Sequence, residues 1–294
     1  MTRPAAPPGE EGLILINVLL FVAIASGLVL LMVNREELAL DGALRQREAA
    51  RAAAIVRGGE LSALTALRRD ADEAPETDHV AEDWAGIADR DIAIDGGTFD
   101  LTVADAEGRF NINNVRTGEA SAVILFEMIA RDAGLDNEQI LQAIGYVRGA
   151  GPVTDLRPIR LAGLAPAVAD RLATMVTALP GPTPINLNAA GRELLTLMLR
   201  DPVAVERLLA IRERQGFLTP EDLAAENLSM PPGTRFRSDH FWVRTRATIG
   251  GTAQQGAALI ERRELEDGSR ETIVVERWRN AGIPPDVPDF PPAA

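Results

Sequence analysis

The stretch 12-GLILINVLLFVAIASGLVLLMV-33 decides how the rest of the chain is read. No side chain in residues 13–33 carries a charge. Coiled as a helix at ~1.5 Å per residue it covers about 30 Å, the thickness of a bilayer's hydrocarbon core. A helix closes its own backbone hydrogen bonds, which lipid cannot do for it. Everything after residue 34 is too polar to cross a membrane, so the sequence predicts one N-terminal span with one soluble body behind it. The run Ala23-Ile24-Ala25 also fits the small-residue cleavage site of an ordinary signal peptide, but the apolar run continues to Val33 and exceeds the usual h-region. Arg35, Arg45, Arg47 and Arg51 follow the span, and they fix no orientation because long domains translocate largely regardless of such charges.

Composition narrows the function classes. The 294 residues carry a net charge of −13, an acidic balance that argues against gripping nucleic-acid phosphates. All basic residues are Arg, and there is no Cys, which excludes disulfides, thiolate metal sites and thiol nucleophiles. Only His79 and His240 are present, which leaves little for histidine-based catalysis or metal binding. No nucleophile elbow, metal-spaced His pair or phosphate loop occurs, so no catalytic residue and no metal ligand is assigned.

Outward from the span, residues 34–67 are rich in Ala, Leu, Glu, Arg and Gln and should continue the same helix into water. Leu38, Ala39, Ala43, Ala50, Ala54, Ile55 and Leu61 recur at three- and four-residue steps and suggest its packed face. Gly58-Gly59 is a point where that helix could end or bend. The acidic, Pro-containing residues 70–83 read as a loop. Ile92 and Ile94, the turn Asp95-Gly96-Gly97, then Phe99, Leu101 and Val103 form a strand pair. Strands return late in the chain. Phe241, Val243, Thr245 and Ala247 alternate, Gly250-Gly251 is a turn, and residues 258–265 and 272–278 flank Asp267-Gly268, a strong hairpin signal. Trp242 and Trp278 read as packing residues, and the Pro-rich residues 281–294 as a loose tail.

Between the strands the chain repeats itself. The first copy runs Phe110-Asn111-Ile112-Asn113, helix, helix, then Gly151-Pro152-Val153-Thr154-Asp155-Leu156. The second runs Ile185-Asn186-Leu187-Asn188, helix, helix, then Gly216-Phe217-Leu218-Thr219-Pro220-Glu221-Asp222-Leu223. Two such units predict an all-helical insertion with internal pseudo-symmetry. The second copy resembles a helix-hairpin-helix module. Its hairpin, 198-MLRDPV-203, has no Gly and places an acid and a Pro where backbone donors would meet phosphate.

Two further signals carry a family resemblance. A Gly directly before an unbroken apolar helix, here Glu11-Gly12-Leu13, resembles the cleavage site of type IV prepilin-like proteins. The segment Asp105-Ala106-Glu107-Gly108-Arg109-Phe110-Asn111-Ile112-Asn113, together with the order of elements around it and Ser238-Asp239-His240-Phe241, resembles the type II secretion protein K family of minor pseudopilins. The resemblance implies cleavage after Gly12 by prepilin peptidase, with methylation of the new amino terminus at Leu13. It also implies an assembly role for the fifth mature residue. Most such subunits carry Glu there and the K family lacks it; here it is Asn17. Asn can hydrogen-bond but cannot offset a neighbour's buried ammonium charge, which suits a subunit with none ahead of it.

The implied fold is α+β and pilin-like, with a long N-terminal helix packed on an antiparallel sheet and a large helical insertion of two helix-hairpin-like repeats. Its parts would be a leader (1–12), a transmembrane part (13–33), a body in two pieces (34–108 and 234–280), the insertion (109–233) and the tail (281–294). The implied function is to cap the tip of a periplasmic pseudopilus and prime its assembly for export of folded proteins. Its setting would be the inner membrane, with the body in the periplasm. The implied partners are the I, J and H types of minor pseudopilin, the major pseudopilin and the peptidase, with no nucleic acid. The family is also known for calcium sites after its first helical copy. The matching residues 145–155 hold one carboxylate, Asp155, where calcium wants six to eight oxygens, so no cofactor is expected. The alternative is a minor pilin of a type IV pilus or DNA-uptake system using the hairpin module, and a membrane-tethered hydrolase is a second rival.

Overall fold

The computed structural model describes residues 10–74, 76–160, 163–265, 267–285 and 287–290, with side chains from Leu15 onward and without that of Arg160. Helix α1, Glu10–Glu73, is followed by the strands β1 (Ala88–Ile94) and β2 (Gly97–Asp105). The chain then leaves the sheet. It returns as β7 (His240–Ile249), β8 (Thr252–Glu264) and β9 (Arg270–Arg279). The five strands form one antiparallel sheet in the order β1-β2-β7-β8-β9. The point of departure and the point of return are neighbours, since Asp105 pairs with Phe241 across β2 and β7. An insertion of any size can leave and rejoin there without disturbing the register.

The chain divides into two compact units, residues 1–51 and 52–294. In the first, the large apolar side chains between Leu15 and Val33 are exposed, as on a helix whose surroundings are lipid. In the second, Ala52, Gly59, Glu60, Ala63, Leu67 and Ala71 form a buried stripe at helical spacing. Ala63 and Leu67 pack with Trp84, Leu101, Val103, Phe241, Val243 and Ile260; Ala52 packs with Ala247 and Ile249. This corrects the expected face: Leu38 and Leu61 are exposed, and mostly small residues make the contact. Gly58-Gly59 does not end the helix, which runs on to Glu73. A Cβ on Gly59 would lie 2.6 Å from Phe99 Cζ, so this glycine is what lets helix and sheet approach closely. The helix also runs four residues into the stretch read as a loop, ending at Glu73.

The other face of the sheet buries Trp242, Ala257 and Leu259. Trp242 meets Trp278 at 5.3 Å between ring centroids, as packing partners. The C-terminal segment read as loose is held against this face. Val287 is buried there, Arg244 Nη1 donates to Pro288 O at 3.2 Å and to Asp289 Oδ1 at 2.6 Å, and Arg244 and Arg246 each stand 5.1 Å from the Phe290 ring. Residues 291–294 of that tail lie outside the described residues.

Between β2 and β7 the two copies appear as they do in the sequence, with one addition. The first comprises β3 (Phe110–Asn111), a 3-10 turn, α2 (Ala120–Ala133), α3 (Asn137–Ala150), α4 (Arg157–Arg160), α5 (Pro166–Met175) and β4 (Val176–Thr177). The second comprises β5 (Ile185–Asn186), α6 (Arg192–Leu199), α7 (Pro202–Gln215), α8 (Pro220–Ala225) and β6 (Thr234–Arg235). Each copy closes on itself by a two-residue parallel bridge, β3 with β4 and β5 with β6. The insertion is therefore not wholly helical; strands of two residues are too short to show a period in sequence. Both copies share one apolar core, which includes Phe110, Phe126, Ile144, Leu172, Leu187 and Leu208.

Candidate functional site

Each copy is wound around an Asn-x-Asn turn. Asn111 Oδ1 accepts from Asn113 N at 3.1 Å, and Asn186 Oδ1 accepts from Asn188 N at 2.9 Å. The second Asn of each turn then holds the segment after the second helix. Val153 N donates to Asn113 Oδ1 at 3.0 Å, and Leu218 N donates to Asn188 Oδ1 at 2.6 Å. Four buried amide side chains thus replace backbone partners that neither helix nor sheet supplies here. The motif glycine ties the copies to the sheet. A Cβ on Gly108 would lie 2.6 Å from Ala189 O and 2.9 Å from Ala189 C, and beside it Asn186 N donates to Glu107 O at 2.9 Å. Gly108→Val should therefore cost about 3 kcal/mol, because backbone rather than a movable side chain blocks the added atoms. Chemical unfolding of the full chain in detergent measures this, with Gly145→Ala as control: nothing lies within 4 Å there.

The sheet, residues 76–87 and the second copy meet at a buried polar junction. Asp105 Oδ2 accepts from Ser238 Oγ at 2.6 Å and Asn186 Nδ2 at 2.8 Å, while its Oδ1 accepts from Glu107 N at 2.7 Å. Glu107, fully buried, accepts from Arg235 Nη2 at 2.6 Å and meets His240 Nδ1 at 2.7 Å. Asp78 accepts from Ser238 N at 2.8 Å and from Arg262 Nη1. Arg262 also donates to Asp70 Oδ2 at 2.7 Å and Leu67 O at 3.1 Å, and lies 4.4 Å over the Phe241 ring. His79 stacks on Phe217 of the second copy at 4.8 Å, and Glu82 accepts from Trp84 Nε1 at 2.6 Å. Burial pushes Asp105 up to about 7, with the nearby Glu107 adding and the Ser238 and Asn186 hydrogen bonds opposing. Burial likewise pushes Glu82 up to about 7.

Of this junction, the sequence offered Asp105, Gly108, Asn186 and Ser238 through their motifs. Arg262 gave no signal, since an Arg in a strand is ordinarily a solvated residue. The sequence-assigned residues of the N-terminus lie elsewhere. Gly12 and Leu13 fall within α1, but their side chains lie outside the described residues. Asn17 stands exposed on the same helix, four residues on from Leu13.

Two binding readings meet physical obstacles. In the helix-hairpin-helix segment, Asp201 Oδ1 accepts from Val203 N at 3.1 Å and Ala204 N at 3.0 Å, so a carboxylate already occupies the place a phosphate would need. In residues 145–155, the one carboxylate, Asp155, accepts from Arg157 N at 2.7 Å and from its guanidinium at 2.6 and 2.9 Å. Asp70, Asp78 and Glu82 lie close enough to surround a cation, and Arg262 already pairs with the first two.

No family model matches the chain. It is similar to type II secretion system protein K of Pseudomonas aeruginosa, 27% identical over 301 residues, which covers 86% of this chain and 89% of that one. It is also similar to type II secretion system protein K of Klebsiella pneumoniae, 26% identical over 226 residues, 64% of this chain and 69% of that one. A chain of the solved GspK–GspI–GspJ complex from the type 2 secretion system of enterotoxigenic Escherichia coli shares the fold. The TM-score is 0.63 at 17% identity, with 80% of this chain and 98% of that chain covered. The apolar N-terminal helix, compatible with a single-pass anchor, the sheet with its insertion between β2 and β7, and a likeness that spans nearly the whole of a curated relative make this chain similar to type II secretion system protein K along most of its length.

Proposed function

We propose that this chain is a minor pseudopilin that caps the tip of a type II secretion pseudopilus and primes its assembly, acting by packing rather than catalysis. One observation carries the reading: a charge-free anchor helix with Asn17 in place of an acid leads into a pilin-like sheet bearing a large insertion, matched over 86% of the chain to protein K. Prepilin peptidase removes residues 1–12 and leaves Leu13 methylated. The anchor then sits in the inner membrane with the body in the periplasm. I-, J- and H-type minor pseudopilins pack their N-terminal helices against it, and the major pseudopilin polymerises below. In lipid such packing rests on close contact and small or polar residues, here Asn17, Ser26 and Gly27. The inserted copies are too bulky for a filament's interior, and an Asn at the fifth mature position leaves nothing to neutralise a subunit ahead. Both features suit the outermost place. The DNA-uptake alternative loses its phosphate site to Asp201.

Isolation of the tagged full chain from membranes tests this. The I- and J-type pseudopilins of the same system should co-purify with it through detergent extraction. Recovery of the chain alone, while those two still pair with each other, would contradict the reading.

A further inference from the structure

The junction holds more acid than base. Six carboxylates meet there: Asp70 at the end of α1, Asp78 and Glu82 in residues 76–87, Asp105 and Glu107 at the end of β2, and Asp239 at the start of β7. Facing them are three arginines. Arg262 on β8 serves Asp70 and Asp78, Arg235 on β6 serves Glu107 and Asp239, and Arg237 serves Asp239. His240 faces Glu107, and His79 faces Glu82. Among the described residues no arginine is hydrogen-bonded to or ion-paired with Asp105 or Glu82. Asp105 has only the neutral donors Ser238 Oγ, Asn186 Nδ2 and Glu107 N, and Glu82 only Trp84 Nε1 and the His79 backbone among its hydrogen bonds. These two carboxyls sit where the pieces join. Asp105 touches the Asn-x-Asn turn of the second copy, and Glu82 lies beside His79, which stacks on that copy's Phe217.

We propose that this junction is a proton-operated latch: acid holds the second copy and residues 76–87 onto the sheet, and rising pH loosens them. Closed, the latch keeps both carboxyls buried and favours their neutral form; opened, they meet water and ionise at ordinary carboxylate values. Asp105 and Glu82 are raised to about 7 in the closed form, and burial raises Asp70 and Asp78 as well, against the pull of Arg262. The sign follows from proton binding: the closed form binds more protons, so closure is complete below the ordinary carboxylate range of about 4, weakens as pH rises toward 7, and levels off above. His79 opposes this, because burial lowers it and acid favours its exposure. It is one group against four.

Hydrogen–deuterium exchange of the full chain in detergent, corrected for the intrinsic pH dependence of exchange, reads the opening constant. Peptides covering residues 76–87, 184–190 and 216–219 should open at least about tenfold more at pH 7 than at pH 5. Peptides from β8 and α2 should not. Asp105→Asn with Glu82→Gln should reduce the slope by at least about half; if that pair does not fold, Glu82→Gln alone should reduce it by a smaller step. Junction protection that ignores pH in the wild type, or a slope unchanged by these variants, would overturn the latch.

Discussion

Arg262→Met should lower the stability of the folded body by about 3–5 kcal/mol. The guanidinium lies between Asp70 and Asp78, donates to Leu67 O at the end of α1 and covers the Phe241 ring. Met fills much of the same space but strands two buried carboxylates in a pocket built around a cation. Removing one partner of a buried ionic group costs far more than the intact group contributes, because the remaining charge keeps its desolvation penalty. Chemical unfolding of the full chain in detergent, followed by the fluorescence of Trp84 in the same core cluster, measures the loss. Arg263→Met, which removes an exposed pair with Glu271, should cost under about 1 kcal/mol. Adding Asp70→Asn and Asp78→Asn to Arg262→Met should recover part of the stability, since the stranded charges disappear with the cation. A loss no larger than that of the Arg263 variant would show that the carboxylates reach water and that the junction is not sealed.

Gly12→Val should abolish secretion as completely as deletion of the protein. Under the proposed function, the peptidase requires this glycine, and the uncut chain keeps Arg3, Glu10 and Glu11 ahead of the span. Leu13 then has no free amine. The acidic pair also sits at the end of the helix that must pack against its neighbours, where charge is expensive in lipid. Export of a reporter exoprotein should fall to the level of a strain lacking the protein, while the variant still accumulates in the membrane at its unprocessed mass. Normal export by an uncut Gly12→Val chain would remove the prepilin step from the account.

Much of this fold was legible in the residues. The apolar span is a run of 21 uncharged residues, Phe99, Leu101 and Val103 alternate after Asp95-Gly96, and Asp267-Gly268 marks the turn between β8 and β9. The Asn-x-Asn turns recur with their helices in the same order, and two hydrogen bonds of each turn correspond, one within it and one to the segment after the second helix. What escaped did so for physical reasons. The packed stripe of α1 is made mostly of Ala and Gly, which a search for large apolar residues passes over in favour of Leu38 and Leu61. The four bridge strands have two residues each. The tail reads as unstructured from its prolines, yet Val287 and Phe290 find an apolar and arginine-lined face whose existence depends on the whole sheet. Arg262 and Asp78 meet across 184 positions, a pairing that no local pattern encodes.

The mass of the N-terminal peptide, determined on the protein as it sits in its native membrane, tests the central claim most directly. A chain that begins at Leu13 with a methyl group on its amine is the expected result, and it would put the protein in the prepilin pathway that the tip assignment requires. A chain that begins at Met1, or near Ser26 after ordinary signal cleavage, would contradict it.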